Sequence, residues 1–380
     1  MCVPFLRVST RKVWSEEFGE EYGSRTGKFV VVDRLVPPGL AGPERTHSMI
    51  EPAAARVTAV VPTRNRLALL RQTIDTVLGQ RGVDMCAVVV DEASTDGTAA
   101  WLDGLDDPRV TVVHHDVPHG SAAARNAGLA YVTTPWVAFC DDDDLWAPDK
   151  CASQLAAIAA TPGARWSAAG TVSVDDALQV VGHQRPSASG DVLPLLEAHN
   201  VIPAGGSSVL AATELVEEAG GFDPGFRCCE DYECWLRFAQ RAPIACVDRP
   251  VVAYRVGGHN RSNDVELMRV MHEAVIRKHR VTVEEDDAAR ADLLHAQYLA
   301  RFPLRQGRRF AAARAYFDIA WRFRQRTHYV HALLALAIPG FAEERRARAE
   351  RAEVPATWVA AAEVWLAPLR RSHRLEAGIR

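Results

Sequence analysis

Trp136-Val-Ala-Phe-Cys-Asp-Asp-Asp-Asp-Leu-Trp146 is the segment from which the fold can be read. A short apolar run ends abruptly in four consecutive carboxylates. The run has the length and composition of a buried strand, and the acids begin where such a strand would leave the sheet. Working outward, Val57-Thr-Ala-Val-Val61 and Met85-Cys-Ala-Val-Val-Val90 have the same character, and the second runs into Asp91-Glu-Ala-Ser-Thr-Asp-Gly97. Pro62 is expected to end the first strand, with Thr63-Arg-Asn-Arg66 as a polar loop. Between the strands, Leu67 to Gln80 carries Leu70, Ile74, Val77 and Leu78 on one helical face. Thr98 to Leu105 and Ala122 to Tyr131 read as further helices, with Val110 to Val113 as a strand between them. Alternation of this kind predicts an α/β fold with parallel strands, whose ligand sits beyond the strands' carboxyl ends. Both acidic clusters lie at those ends.

Four adjacent carboxylates repel one another and raise one another's pKa unless a cation neutralises them. They also supply the hard oxygen ligands that Mg²⁺ or Mn²⁺ prefers, with substrate phosphates completing the shell. An acidic solvated turn, or a cap for the helix beginning near Pro148, is the competing reading.

Five segments in order carry a resemblance. They are Val57-Thr-Ala-Val-Val-Pro-Thr-Arg-Asn-Arg66, Val90-Asp-Glu-Ala-Ser-Thr-Asp-Gly-Thr98, Ala124-Arg-Asn-Ala-Gly-Leu129, Phe139-Cys-Asp-Asp-Asp-Asp-Leu-Trp146, and Gly220-Gly-Phe-Asp223 with Glu230-Asp-Tyr-Glu-Cys-Trp-Leu236. Together they resemble the family 2 glycosyltransferases, inverting enzymes of the GT-A fold, over roughly residues 56 to 254. The resemblance implies a nucleotide-binding sheet flanked by helices and a divalent metal, Mn or Mg. It implies transfer of a sugar from a nucleotide-sugar donor to a hydroxyl-bearing acceptor. Asp91 and Glu92 match the acidic pair that contacts the donor's base and ribose, although the family more often has Asp at the second place. Asp141 and Asp143 match the outer residues of the metal-binding D-x-D, and Asp142 could share that role. Asp231 matches the general base, a position that a helix N-terminus would also favour for an acid. Thr63 and Arg64 lie where the family contacts the base. Arg125 and Asn126 either face the donor diphosphate and ribose or begin a surface helix. His259 has a counterpart near the diphosphate in some members, with a solvated loop as the alternative. Gly205-Gly-Ser-Ser208 either lines the acceptor side or is a permissive turn.

The division expected is an N-terminal extension or linker (1–55), a GT-A catalytic domain (56–262) and a mainly helical C-terminal region (263–380). At 380 residues, with 48% hydrophobic and 24% charged residues, the chain is of ordinary soluble composition. A net charge of -4 argues against nucleic acid as a partner and against broad affinity for an anionic membrane, local patches apart. No secretory signal is evident, and the longest apolar run near the C-terminus, Val330 to Phe341, is too short to span a bilayer. The eight cysteines form no C-x-x-C pair and read as reduced thiols. A cytoplasmic protein is expected, with a peripheral contact at the inner face of the membrane and homo-oligomerisation left open.

Surface glycan or glycolipid assembly is the expected setting, with a glycan, lipid-linked or small-molecule acceptor. Tailoring of a small metabolite and a non-catalytic nucleotide-sugar scaffold are the alternatives. A nucleotidyltransferase would need a Gly-rich loop after its first strand to hold a triphosphate, and Val61-Pro-Thr-Arg-Asn-Arg66 has no glycine.

Overall fold

The computed structural model describes residues 30–31, 55–256, 265–279, 308–337 and 354–376, with isolated residues between 293 and 303. Its centre is one ten-stranded sheet. The strands are β1 (Val30–Val31), β2 (Ala55–Thr63), β3 (Val83–Glu92), β4 (Val110–His115), β5 (Trp136–Phe139), β6 (Leu145–Trp146), β7 (Trp166–Val174), β8 (Val180–Gln184), β9 (Val209–Ala212) and β10 (Ile244–Arg255). They lie in the order β1-β4-β3-β2-β5-β9-β7-β10-β6, with β8 paired to β7.

The run β4-β3-β2-β5 is parallel, as the alternation of apolar strands and helices implies. Three features depart from the expectation. Pro62 does not end β2. The strand continues to Thr63, and Pro62 still stands opposite Val90 of β3. Between β5 and β7 the sheet accepts β9, which runs antiparallel to both neighbours. Finally, Val30–Val31, within the segment expected to be a linker, pairs with Val113 and His114 at the sheet edge.

Helices α1 (Leu67–Leu78), α2 (Thr98–Asp103), α3 (Ser121–Leu129) and α4 (Lys150–Ala160) flank the first half. Leu70, Ile74 and Val77 of α1 are buried against the sheet, as their spacing requires. Gly128 lets α3 approach β2, because a Cβ there would stand 2.6 Å from the Val60 side chain.

The second half adds α5 (Leu193–Leu196), α6 (Thr213–Ala219) and α7 (Glu230–Ala239). Trp235 and Trp146 fall in the core, where an aromatic beside an acidic motif is more often found than against a sugar. Trp235 stacks on Trp166 at 6.2 Å and meets Phe139, Phe222 and Phe238. Truncating a side chain so enclosed to Ala costs about 3–5 kcal/mol, so this cluster fixes α7 firmly on the sheet.

The C-terminal helices are α8 (Val265–His279), α9 (Arg309–Arg322), α10 (Thr327–Ala337) and α11 (Ala356–Glu376). Lys278 and His279 of α8 bind Glu233 of α7, each at 2.8 Å. Trp358, Ala362, Trp365 and Leu366 of α11 join a core cluster with Leu145, Val172 and Val251. Trp365 Nε1 also donates to the Pro250 carbonyl at 3.1 Å. The helical region therefore packs onto α7 through α8 and onto the sheet through α11. Among the described residues, no helix is long and apolar enough to cross a membrane.

Candidate active site

Strand ends place the acidic residues side by side. Thr63 is the register partner of Asp91, and Val60 is the partner of Phe139. The carboxyl ends of β3 and β2 are thus level, β5 stops opposite Val60, and the acidic turn that follows it runs on beside the end of β2.

Asp141 begins the acidic turn. Its backbone N–H donates to Ser207 Oγ at 2.9 Å, and Arg125 donates to its Oδ1 at 2.6 Å. Its side chain is 35% exposed, the most open of the three members whose ion pairs are recorded. Asp143 accepts from Arg66 at 2.5 Å. Burial pushes its carboxyl above the usual range, and repulsion from Asp141 adds to this.

Asp142 is held at both carboxylate oxygens. Thr63 Oγ1 donates to it at 2.8 Å, the Arg64 N–H at 3.3 Å and Arg66 at 3.1 Å. It therefore ties the end of β5 to the end of β2, and takes Thr63 with it. Burial raises its carboxyl to about 6, with Arg66 pulling the other way. Asp144 is fully buried and accepts from the Arg255 N–H at 3.2 Å. Burial and the neighbouring Asp143 and Asp141 push its carboxyl well up. One acidic run thus splits into a half-open carboxylate on Arg125, a buried one on Arg66, one clamp and one interior acid.

On the neighbouring strand end, Asp91 accepts from the Ser94 N–H at 3.2 Å and meets His114 Nδ1 at 3.1 Å. His114 continues to Asp103 at 3.1 Å. Glu92, on the same strand end, is engaged within the protein. Its carboxylate bonds to the buried His115 ring and accepts from the His119 and Gly120 N–H groups at 2.7 and 2.6 Å. Burial would raise its carboxyl, but these partners hold it below its ordinary value. It shapes the loop entering α3, a task that its extra methylene serves by reaching further than Asp. Arg64 is exposed at the end of β2.

Arg125 is 4% exposed and lies over the Phe222 ring at 5.3 Å. One guanidinium nitrogen holds Asp141 and another holds Glu230 at 2.7 Å, where Ser121 Oγ also bonds. Burial opposes its charge, yet Asp141, Glu230 and Asp231 together hold its pKa above the ordinary value. The neighbouring Asn126 is held by backbone. Its amide donates to the Phe222 carbonyl at 2.7 Å and accepts from the Phe222 N–H at 2.8 Å, so both ends are occupied by backbone.

Asp231 stands in the first turn of α7, which starts at Cys229 in the left-handed region (φ 62°). Burial pushes its carboxyl up to about 6, Glu230 adds to the rise, and Arg125 restrains it. Gly205, at φ +51°, presses against it, because a Cβ there would lie 2.5 Å from Asp231 Oδ2. Gly206 backs onto the Arg125 guanidinium, and Ser207 carries the bond to Asp141. The stretch Gly205-Gly-Ser-Ser208 thus runs between the acidic turn and Asp231.

Arg66, Ser207, Glu230 and Arg255 were not singled out from sequence, although all but Arg255 lie in stretches quoted for other residues. The available signal was charge, since a run of four acids needs cations nearby. His259 lies outside the described residues.

The donor set can be tested for a divalent ion. Among the described residues no group of three His, Cys, Asp or Glu side chains could hold one. Asp141 and Asp143 offer a pair, each with one oxygen on an arginine. Two crowded acids of this kind fit a cation held jointly with substrate phosphates rather than by a protein cage.

Residues 58–184 match the model of glycosyl transferase family 2. The succinoglycan biosynthesis protein ExoO of Rhizobium meliloti is 38% identical over 94 residues, 25% of this chain and 27% of that protein's length. An uncharacterized glycosyltransferase of Haemophilus influenzae is 25% identical over 294 residues, 75% of this chain and 97% of its own. TarS 1–349 of S. aureus, solved with UDP, superposes with a TM-score of 0.51 at 17% identity, over 76% of this chain and 92% of TarS 1–349. The mannosyltransferase PcManGT of Pyrobaculum calidifontis, solved with GDP-Man and Mn²⁺, gives 0.50 at 23%, over 83% and 89%. At these identities the superpositions speak to the fold, which is GT-A. The family match lies on the strands and turns that build the acidic site, and over residues 58–184 the chain is similar to glycosyl transferase family 2.

Proposed function

We propose that the chain is an inverting glycosyltransferase that moves a sugar from a nucleoside-diphosphate donor to an acceptor hydroxyl, with Asp231 as general base. The observation that carries this is the Arg125 bridge. It joins the acidic turn after β5 to the start of α7, and so gathers a diphosphate-side pair and a separate carboxylate into one site. An inverting single displacement needs that division, with a base opposite the leaving group. A base must be unprotonated at working pH yet basic enough to accept a proton, and a carboxyl raised to about 6 meets both conditions.

Asp141 and Asp143 would hold the divalent ion, Mn or Mg, with the donor diphosphate. Such an ion stabilises negative charge on the departing nucleoside diphosphate. Asp91, at the end of β3, and the exposed Arg64 are proposed for the nucleotide. Arg125 fixes Asp141 and restrains the Asp231 carboxyl. The acceptor is proposed to be a growing surface glycan or lipid-linked sugar, in keeping with the naming of the Rhizobium relative for succinoglycan biosynthesis. Residues 56–262 are proposed as the catalytic unit, working at the cytoplasmic side.

The test is thermal shift with a panel of nucleoside diphosphates, with and without Mn²⁺, on the wild type and Asp143→Ala. One base should raise the melting temperature only with metal, and the variant should lose that rise while still melting cooperatively. Absence of a shift with every nucleotide would leave a scaffold that has kept the fold alone.

A further inference from the structure

The hairpin of α9 and α10 carries a face that the sheet does not use. On α9, Ala312, Ala313, Ile319 and Ala320 are buried, while Phe310, Phe317 and Trp321 on the opposite side are 70%, 51% and 73% exposed. Their spacing of seven and four residues makes one stripe along the helix. On α10, Ala332 and Ala335 are buried and Leu333 and Leu336 are exposed. The two stripes share a face, because the Phe317 ring meets Tyr329 of α10 edge-on at 5.5 Å, and Tyr329, Leu333 and Leu336 recur at helical spacing.

Charge identifies what could cover it. Residues 308–337 contain arginines 308, 309, 314, 322, 324 and 326 and a single acid, Asp318, in a chain whose net charge is -4. All six arginines are exposed. Arg308 and Arg309 stand at the start of α9, Arg324 and Arg326 in the turn before α10, and Arg314 within the aromatic stripe. Aromatic and aliphatic side chains framed by arginine suit a layer that is apolar inside and anionic at its surface. A two-fold contact with a second copy would set six arginines against six. We propose that this outer face docks on an anionic lipid surface. The proposal stands apart from the choice of sugar and from the assignment of Asp231.

The experiment is flotation of the full chain with phosphatidylcholine vesicles, with and without phosphatidylglycerol. Binding is expected only with the anionic lipid and should weaken as salt is added. Phe317→Ser with Trp321→Ser should abolish it. Arg314→Gln with Arg322→Gln should lower the partition constant about thirtyfold, at about 1 kcal/mol for each arginine near the surface. All four side chains are surface-exposed, so the variants should keep the wild-type melting temperature. Equal binding to neutral vesicles, no binding to anionic ones at low salt, or variants that float like the wild type would overturn the proposal. A wild-type dimer that Phe317→Ser with Trp321→Ser dissociates, or retention on a nucleic acid in place of vesicles, would also overturn it. Vesicle binding without any nucleotide-dependent thermal shift would sink the proposed activity alone.

Discussion

Replacing Arg125 by Met keeps a long side chain over Phe222 but removes the charge shared by Asp141 and Glu230. The arginine is 4% exposed and its partners are 2.6 and 2.7 Å away, so Glu230 in particular would be left buried with the Ser121 hydroxyl but without its counter-charge. Breaking a buried pair on one side costs about 3–5 kcal/mol. Because the Asp141 side chain is 35% exposed, water can recover part of its share, which places the loss near the lower end, about 3 kcal/mol. At about 2–4 °C for each kcal/mol in a domain of this size, the melting temperature should fall by about 6–12 °C. A second consequence is chemical. Arg125 lowers the Asp231 carboxyl from where burial and Glu230 would set it, so without the arginine that group should titrate above 6. Differential scanning fluorimetry reads the first effect, and the acid limb of kcat/KM for donor turnover reads the second. Arg125→Lys keeps one charge but cannot fork between two carboxylates, so it should recover only part of each. A melting temperature within one degree of wild type, or an acid limb that stays in place, would refute the reasoning.

Asp231→Asn should reduce kcat by about 10²–10⁴ while nucleotide binding by thermal shift is kept; unchanged turnover would remove Asp231 from the base role. In the wild type, kcat/KM should rise with pH through about 6, as the carboxyl loses its proton. Gly205→Ala should cost about 1–2 kcal/mol for the left-handed backbone and slow turnover as well, since the new Cβ would collide with Asp231. Gly220→Ala, at φ +82° with nothing within 4 Å, should show the stability loss alone, and equal activity losses in the two would count against the collision. Burial alone would raise the Glu233 carboxyl, but His279, Arg237 and Lys278 pull it down to about 2 from 4.5. Its contribution is therefore full above pH 4.5 and disappears as pH falls toward 2. Acid-melting curves of Glu233→Gln should be flatter than wild type across that window, and parallel curves would show that the cluster stores no pH-dependent stability.

The parallel half of the sheet was legible because its strands are buried on both faces and interrupted by amphipathic helices. Leu70, Ile74 and Val77 could be assigned to a core from spacing alone. β9 was not, because Val209–Ala212 is four ordinary apolar residues whose place between β5 and β7 depends on partners far along the chain. Pro62 misled for a related reason: a missing N–H marks a strand end only where a neighbour needs that donor. At the site, the order of motifs indicated which carboxylates matter, but adjacency concealed their division of labour. Successive residues of Asp141 to Asp144 leave the backbone in different directions, toward Arg125, toward the end of β2, toward Arg66 and into the interior. Glu92 and Asn126 followed motif position, and their partners within the protein, His115 and the Phe222 backbone, could be identified only once the chain had folded.

The placing of β9 also limits how the protein can be divided. A fragment stopped at Gln184, where the family match ends, would lack β9 and leave β5 and β7 without the strand that joins them. It would also lose α7, and with it the Glu230 partner of Arg125. β10 would be missing too, and raw strand edges invite pairing with other chains, so such a piece should aggregate rather than bind nucleotide. Exchange of acceptor specificity between relatives by recombination is constrained in the same way, because a crossover between 184 and 209 would separate β9 from the two strands it joins, and a viable chimera must inherit that strand together with the partners it was built to fit.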